Sequence, residues 1–243
     1  NGFIGSSTIY GNLMEYLRES TDPTAHMNGF ENNFGCNTLV YNNVVRYTSQ
    51  SNGLAFWLAN FEGCTDYFFN NVVVDSPTGG TVALAAPVGA DGCETGGDQY
   101  CDTAGTYYIF NNTLEAGPSS NPAGEAFQCA SEMADCYAYN NHVISSNANP
   151  IGPSANLTES NNLEQSKAAA SGEGYTSSQY YQFSPTDGGD STVDAGMNAS
   201  SIYSSAGMAT PYDTSFGVKY DSDNNTVIVE RTPVVRTIFD IGS

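Results

Sequence analysis

Four times in this chain a pair of asparagines interrupts a β-forming run. The phrases are Tyr41-Asn42-Asn43-Val44-Val45, Phe69-Asn70-Asn71-Val72-Val73, Phe110-Asn111-Asn112-Thr113-Leu114 and Tyr139-Asn140-Asn141-His142-Val143. Asparagine is a poor strand residue and a good turn residue, so each pair marks a corner between two short β segments. By subtraction the first asparagines are spaced 28, 41 and 29 residues apart. Tyr10-Gly11-Asn12-Leu13 reads as a degenerate earlier copy and Ser160-Asn161-Asn162-Leu163 as a later one. Periodic self-similarity of this kind is the signature of a repeat architecture.

The flanks keep the period. Gly53-Leu54-Ala55-Phe56-Trp57-Leu58 is echoed by Thr81-Val82-Ala83-Leu84-Ala85 and more weakly by Glu125-Ala126-Phe127-Gln128. Cys36 and Cys64 each stand six residues before their asparagine pair, by subtraction. The longest step contains the Gly- and Asp-rich stretch 87–102, with Cys93 and Cys101, which reads as a loop inserted into one repeat. Helical patterning is confined to Asn12–Glu19, enough for about two turns. A period near 28 is too short for a four-stranded propeller blade and lacks the leucine-rich consensus. It fits one rung of an all-β, right-handed parallel β-helix, with rungs stacked at roughly 4.8 Å. One asparagine of each pair would then turn inward and bond its equivalent in the next rung; the expected ladder is Asn42, Asn70, Asn111 and Asn140. Independent hairpins would use the same dipeptides but would not hold the flanking segments and cysteines in register.

Composition narrows the function classes. Six Lys and Arg against 26 Asp and Glu leave a formal charge of -20. Such a chain has almost nothing with which to neutralise phosphates, which argues against nucleic-acid partners. No run is long and apolar enough for membrane insertion. Six cysteines without CxxC spacing, with only His26 and His142 to assist, point to disulfides in a secreted or cell-surface setting rather than to zinc. The chain opens without an initiator Met or a signal peptide and reads as a mature or trimmed form.

The phrases YNNVV, FNNVV and FNNTL resemble the N-N-x-[VIL] turn of the right-handed parallel β-helix superfamily, the pectate-lyase-like group. The C-terminal strings GGDSTVDAGMN, PYDTSFGVKY and RTPVVRTIFDIGS resemble the closing segment of bacterial secreted and surface members. The match there rests on Asp194, Gly196, Asp213, Gly217, Arg231, Pro233, Asp240, Ile241 and Gly242, although Thr232 separates Arg231 from Pro233 and no A-Y-E follows Gly242. The resemblance implies about six rungs over residues 1–166, with the insertion at 87–102. Residues 167–243 would form an irregular segment that packs back on the rungs and ends in the D-I-G motif. Equivalent residues one rung apart lie within disulfide reach, so the resemblance implies Cys36–Cys64, with Cys93–Cys101 and Cys129–Cys136 closing loops; Cys101–Cys129 is an alternative.

The superfamily hosts lyases, hydrolases, adhesins and structural proteins, so function rests on the residues. The basic residues are Arg18, Arg46, Lys167, Lys219, Arg231 and Arg236, and Arg46 alone lies in a clear rung, as the candidate base of a lyase. The hydrolase signatures N-x-D, D-D, G-H-G and R-x-K are absent. Ca²⁺ is the one cofactor the carboxylates suggest, at Asp91, Glu94, Asp98 and Asp102, or at the D-x-D-x-N run Asp221, Asp223 and Asn225, where Thr226 stands in the glycine position of a calcium loop. Asp187 and Asp190 flank a Gly-Gly pair. Sequons at Asn156, Asn198 and Asn224 are sterically suited to glycans, whereas one at Asn111 falls inside the ladder phrase. The tyrosines of Gly172–Pro185 read as exposed contact residues. The preferred expectation is a non-catalytic extracellular adhesin, matrix or filament subunit that self-associates or binds carbohydrate; the alternative is a polysaccharide lyase or glycoside hydrolase.

Overall fold

The four repeated asparagine pairs, and Asn161-Asn162 after them, stand at corners between two parallel sheets. The structure is a computed structural model and describes residues 6–15, 30–48, 56–60, 63–75, 88–90, 105–115, 127–129, 135–145, 150–151, 156–176, 185–208, 216–221, 223–231 and 241–242. The first repeat gives β1 (Thr8–Tyr10) and β2 (Leu13–Glu15), and the second β3 (Phe30–Gly35), β4 (Leu39–Tyr41) and β5 (Val44–Thr48). The third gives β6 (Phe56–Asn60), β7 (Thr65–Phe69) and β8 (Val72–Asp75). Next come β9 (Val88–Ala90), β10 (Thr106–Phe110) and β11 (Thr113–Glu115), then β12 (Phe127–Cys129), β13 (Asp135–Tyr139) and β14 (His142–Ile144). The sixth repeat gives β15 (Leu157–Ser160) and β16 (Leu163–Gln165).

Equivalent strands pair across repeats. The first sheet runs β1-β4-β7-β10-β13-β15, the second β2-β5-β8-β11-β14-β16, and a smaller third sheet β3-β6-β9-β12. All these pairings are parallel, and in the first sheet Tyr10, Tyr41, Phe69, Phe110, Tyr139 and Ser160 stand in one row. Strand alternation then sorts the side chains. Val40, Phe68, Ile109 and Ala138 of the first sheet and Val45, Val73, Leu114 and Val143 of the second form one apolar cluster, each at most 1% exposed. Ile9 and Met14 extend the two rows at one end.

Local patterning was overridden in two places. Leu13–Glu15, inside the stretch with helical periodicity, is a strand because Leu13 and Met14 fall in register with Val44 and Val45 and pack into two different clusters. Two turns of isolated helix cannot compete with that pairing. Val88–Ala90, assigned from sequence to the insertion at 87–102, is instead the strand that pairs with both β6 and β12. It takes the place expected for residues 81–85, which lie outside the described residues, as do 91–104.

The segment after Gln165 holds regular elements where the sequence suggests none. Helix α1 (Lys167–Gly172) is capped by Ser166, whose hydroxyl accepts from the Ala169 N–H at 3.1 Å. Helix α2 (Ser200–Ser205) sets Ile202 and Tyr203 against Phe69 and Phe110 of the first sheet. The antiparallel strands β17 (Phe216–Asp221) and β18 (Thr226–Arg231) make a hairpin. Tyr175 is 2% exposed and packs with Ala170 on Val44, Val72 and Ile144, so it is not the surface tyrosine that its Gly- and Ser-rich surroundings suggest.

Candidate functional site: an amide ladder and an aromatic shelf

The buried ladder is built by the second asparagine of each pair. Asn12, Asn43, Asn71, Asn112 and Asn141 each donate backbone N–H and side-chain Nδ2 to Oδ1 of the next repeat's asparagine, the last acceptor being Asn162, at 2.9–3.2 Å. Each Nδ2 from Asn43 onward also reaches a strand carbonyl of the preceding repeat: Ile9, Val40, Phe68, Ile109 and Ala138 in turn. Asn42, Asn70, Asn111 and Asn140, the expected ladder, have another task. They occupy the left-handed region, at φ 55°, 52°, 54° and 54°, as do Asn161 and Gly11. That conformation turns the chain from one sheet to the other, and asparagine and glycine adopt it at least cost.

Turned outward, Asn70, Asn111, Asn140 and Asn161 hold the C-terminal segment. The Tyr203 hydroxyl donates to Asn70 Oδ1 at 3.1 Å and accepts from Asn111 Nδ2 at 2.8 Å. Its ring meets Phe69 and Phe110 edge-on, at 5.3 and 4.9 Å. Asn140 brackets Met197, accepting from its N–H and donating to its carbonyl, while Asn161 donates to the Ala195 carbonyl. Gly242, the last residue of the D-I-G motif, docks on the same corners. Gly242 donates its N–H to the Asn140 carbonyl at 2.7 Å. At φ +88°, a Cβ on Gly242 would lie 2.8 Å from Thr113 Oγ1 and 3.1 Å from His142 Cβ.

His142 is buried and serves packing. Its Nε2 lies 2.8 Å from Gln165 Oε1, while Gln165 Nε2 donates to Glu173 Oε1 at 2.8 Å. That second bond fixes the amide, so Nε2 carries the imidazole proton. Nδ1 is buried without a partner, and Tyr175 packs edge-on at 4.7 Å. Burial lowers the His142 pKa to about 4, against smaller raising effects of Gln165 and Glu173. Glu173 is held below the usual carboxylate range, chiefly by the Ser191 N–H.

The outward side of the first sheet is lined with aromatic rings, part of them buried under α2. Tyr10, Tyr41, Phe69 and Phe110 stack at 5.0–5.2 Å, and beside them Tyr67, Tyr108 and Tyr137 stack at 5.3 and 4.8 Å. Inside a stack each ring covers its neighbour's face, so a free aromatic face exists only where a column stops. At β15 the rows continue as Thr158 beside Tyr137 and Ser160 beside Tyr139, both small and exposed. Half-buried Tyr137 and Tyr139, 6.1 Å apart, therefore close the aromatic rows at this end as a step above a polar floor, while Tyr10, 58% exposed, closes the first column at the other. Exposed Asp135 stands beside them, and the stretch tied down at Ala195 and Met197 runs alongside. Burial raises the Tyr108 and Tyr139 pKa values, with neighbouring Tyr137 adding to both, so the hydroxyls stay protonated donors.

The other sequence candidates are dispersed. Arg46 lies in β5 in register with Glu15. Asp221 Oδ1 accepts from the backbone N–H groups of Asp223 and Asn224, and its Oδ2 from the Asn224 side chain, so this carboxylate organises its own hairpin turn. Asp190 likewise caps its turn by accepting from the Thr186 and Asp187 N–H groups. Asp91, Glu94, Asp98 and Asp102 lie outside the described residues. Among the described residues, no three His, Cys, Asp or Glu side chains form a metal-binding group, and no helix is long and apolar enough to cross a membrane. Asn198 and Asn224 are exposed and Asn156 is half-buried. Cys36 and Cys64 form a disulfide with Cα atoms 4.9 Å apart. Cys136 is also disulfide-bonded, while Cys93, Cys101 and the Cys129 side chain lie outside the described residues. No protein-family model, curated protein or solved structure matches this chain.

Proposed function

We propose that the chain is a right-handed parallel β-helix working outside the cell as a non-catalytic scaffold that binds a polysaccharide on the Tyr137–Tyr139 step. The observation that carries this reading is the end of the two aromatic columns at a floor of small hydroxyl side chains. A sugar ring offers an apolar C–H face rimmed by hydroxyls; an aromatic face beside Thr158, Ser160 and Asp135 complements both. The charge of -20 favours neutral over acidic glycans. The Cys36–Cys64 disulfide supports an oxidising, extracellular setting, and the unbroken repeats with their amide ladder support the superfamily assignment.

Affinity electrophoresis of the chain through gels containing neutral or acidic polysaccharides tests the reading. Retardation by a neutral polysaccharide, lost in Tyr137→Ala and Tyr139→Ala but kept in Tyr41→Ala, is expected. Equal mobility in all gels refutes it, and calcium-dependent release of unsaturated products would make the protein a lyase instead.

A further inference from the structure

The two ends of the stacked repeats match along the amide ladder and the edges of the first two sheets, and are opposed in one respect. The amide ladder has a direction, each asparagine donating to the one in the following repeat. At the β1–β2 end, Asn12 Oδ1 accepts from no group among the described residues, and Asn12 is exposed. At the β15–β16 end, Asn162 has used Nδ2 on the Ala138 carbonyl, and its backbone N–H has no acceptor among the described residues. A donor end and an acceptor end on one molecule are the requirement for head-to-tail contact. The strands agree too. A second copy continuing the register would pair Thr158–Ser160 with Thr8–Tyr10 and Leu163–Gln165 with Leu13–Glu15, all of them edge positions.

The exception lies in the two core rows. Among the described residues they finish at one end as Ile9 and Met14, both half-buried and apolar. At the other, the row of Val40, Phe68, Ile109 and Ala138 ends in Glu159, and the row of Val45, Val73, Leu114 and Val143 ends in Glu164. Both glutamates are exposed. A continuing copy would bury two carboxylates against Ile9 and Met14 with no cation in register, which is strongly unfavourable. We infer that Glu159 and Glu164 are the stop that keeps this chain from stacking head to tail on a second copy of itself, and that neutralising them converts the two ends into a heterologous, filament-forming interface. Partial burial and the charge of Glu159 hold the Glu164 carboxyl above the usual range, as expected of two carboxylates at the ends of adjacent core rows.

Sedimentation velocity of the full chain at neutral pH, over a 100-fold range of concentration, tests this, with negative-stain microscopy of the heaviest fractions. The unmodified chain is expected to sediment as a monomer throughout, and the Glu159→Val/Glu164→Val double variant as a concentration-dependent series ending in unbranched filaments. Adding Met14→Glu to the double variant moves the charge to the receiving end and should restore the monomer. A double variant that stays monomeric overturns the inference. So does an unmodified chain that oligomerises, or assembly that Met14→Glu leaves unchanged, since non-specific aggregation does not depend on the receiving end.

Discussion

Replacing Asn112 by alanine separates a stacked amide ladder from ordinary turn chemistry. The substitution removes four hydrogen bonds: Asn71 N–H and Nδ2 lose Oδ1 of Asn112, and the Phe68 carbonyl and Asn141 Oδ1 lose its Nδ2. Not all of them count equally. Asn71 Nδ2 keeps the Val40 and Phe69 carbonyls, and Asn141 Oδ1 keeps the N–H of residue 112. The Asn71 backbone N–H loses this acceptor at a site that is 0% exposed, where water cannot replace it. Each lost bond costs about 1 kcal/mol, so losing the four should destabilise Asn112→Ala by roughly 3–5 kcal/mol. The matched perturbation is Asn42→Gly. Asn42 has φ 55° and a buried Oδ1 with no partner, and glycine already fills the equivalent place at Gly11. Glycine relieves the left-handed strain while loosening the unfolded chain, so the net change should stay within about 1 kcal/mol. Urea unfolding at neutral pH with disulfides intact measures both. Equal losses, or a larger loss for Asn42→Gly, would refute the division of labour between the two asparagines.

Two further outcomes follow from buried groups. His142 binds its proton near pH 6.5 when unfolded and near 4 when folded, so acid favours the unfolded chain. Its contribution is complete above pH 6.5, declines between 6.5 and 4, and is lost below, a difference of about 3 kcal/mol; His142→Gln should flatten the urea midpoint across that window, and an unchanged slope would contradict the burial argument. Opening the 28-residue Cys36–Cys64 loop by a Cys36→Ser/Cys64→Ser double substitution should cost about 3–4 kcal/mol through the unfolded chain, read as a lower urea midpoint, whereas the same midpoint would mean that the stacked strands already restrict that loop.

The period was legible because an in-register parallel stack repeats its demands on the sequence: a left-handed corner and an inward amide recur in all six repeats, and an outward aromatic ring in the first five. Which asparagine did which task was harder to read, since both are polar, both are buried and they differ only in backbone conformation. The deciding signal was nevertheless present. In Tyr10-Gly11-Asn12-Leu13 the first place is glycine and the second is still asparagine, and only a left-handed first place with a hydrogen-bonding second place explains that asymmetry. The last repeat carries a similar signal. Glu159 and Glu164 break an apolar row at two positions that become equivalent to Ala138 and Val143 only once the register is known. What the C-terminal segment does was not encoded locally. Tyr203 finds Asn70 and Asn111 across 133 and 92 residues, and Gly242 fits against His142 and Thr113 because a side chain there would collide. Such contacts depend on where the segment lands, so short-range patterning has no access to them. A variant of the ladder should therefore disturb this docking too, because the outward amides of Asn70, Asn111 and Asn140 are held in place by the same corners whose second asparagines carry the stack.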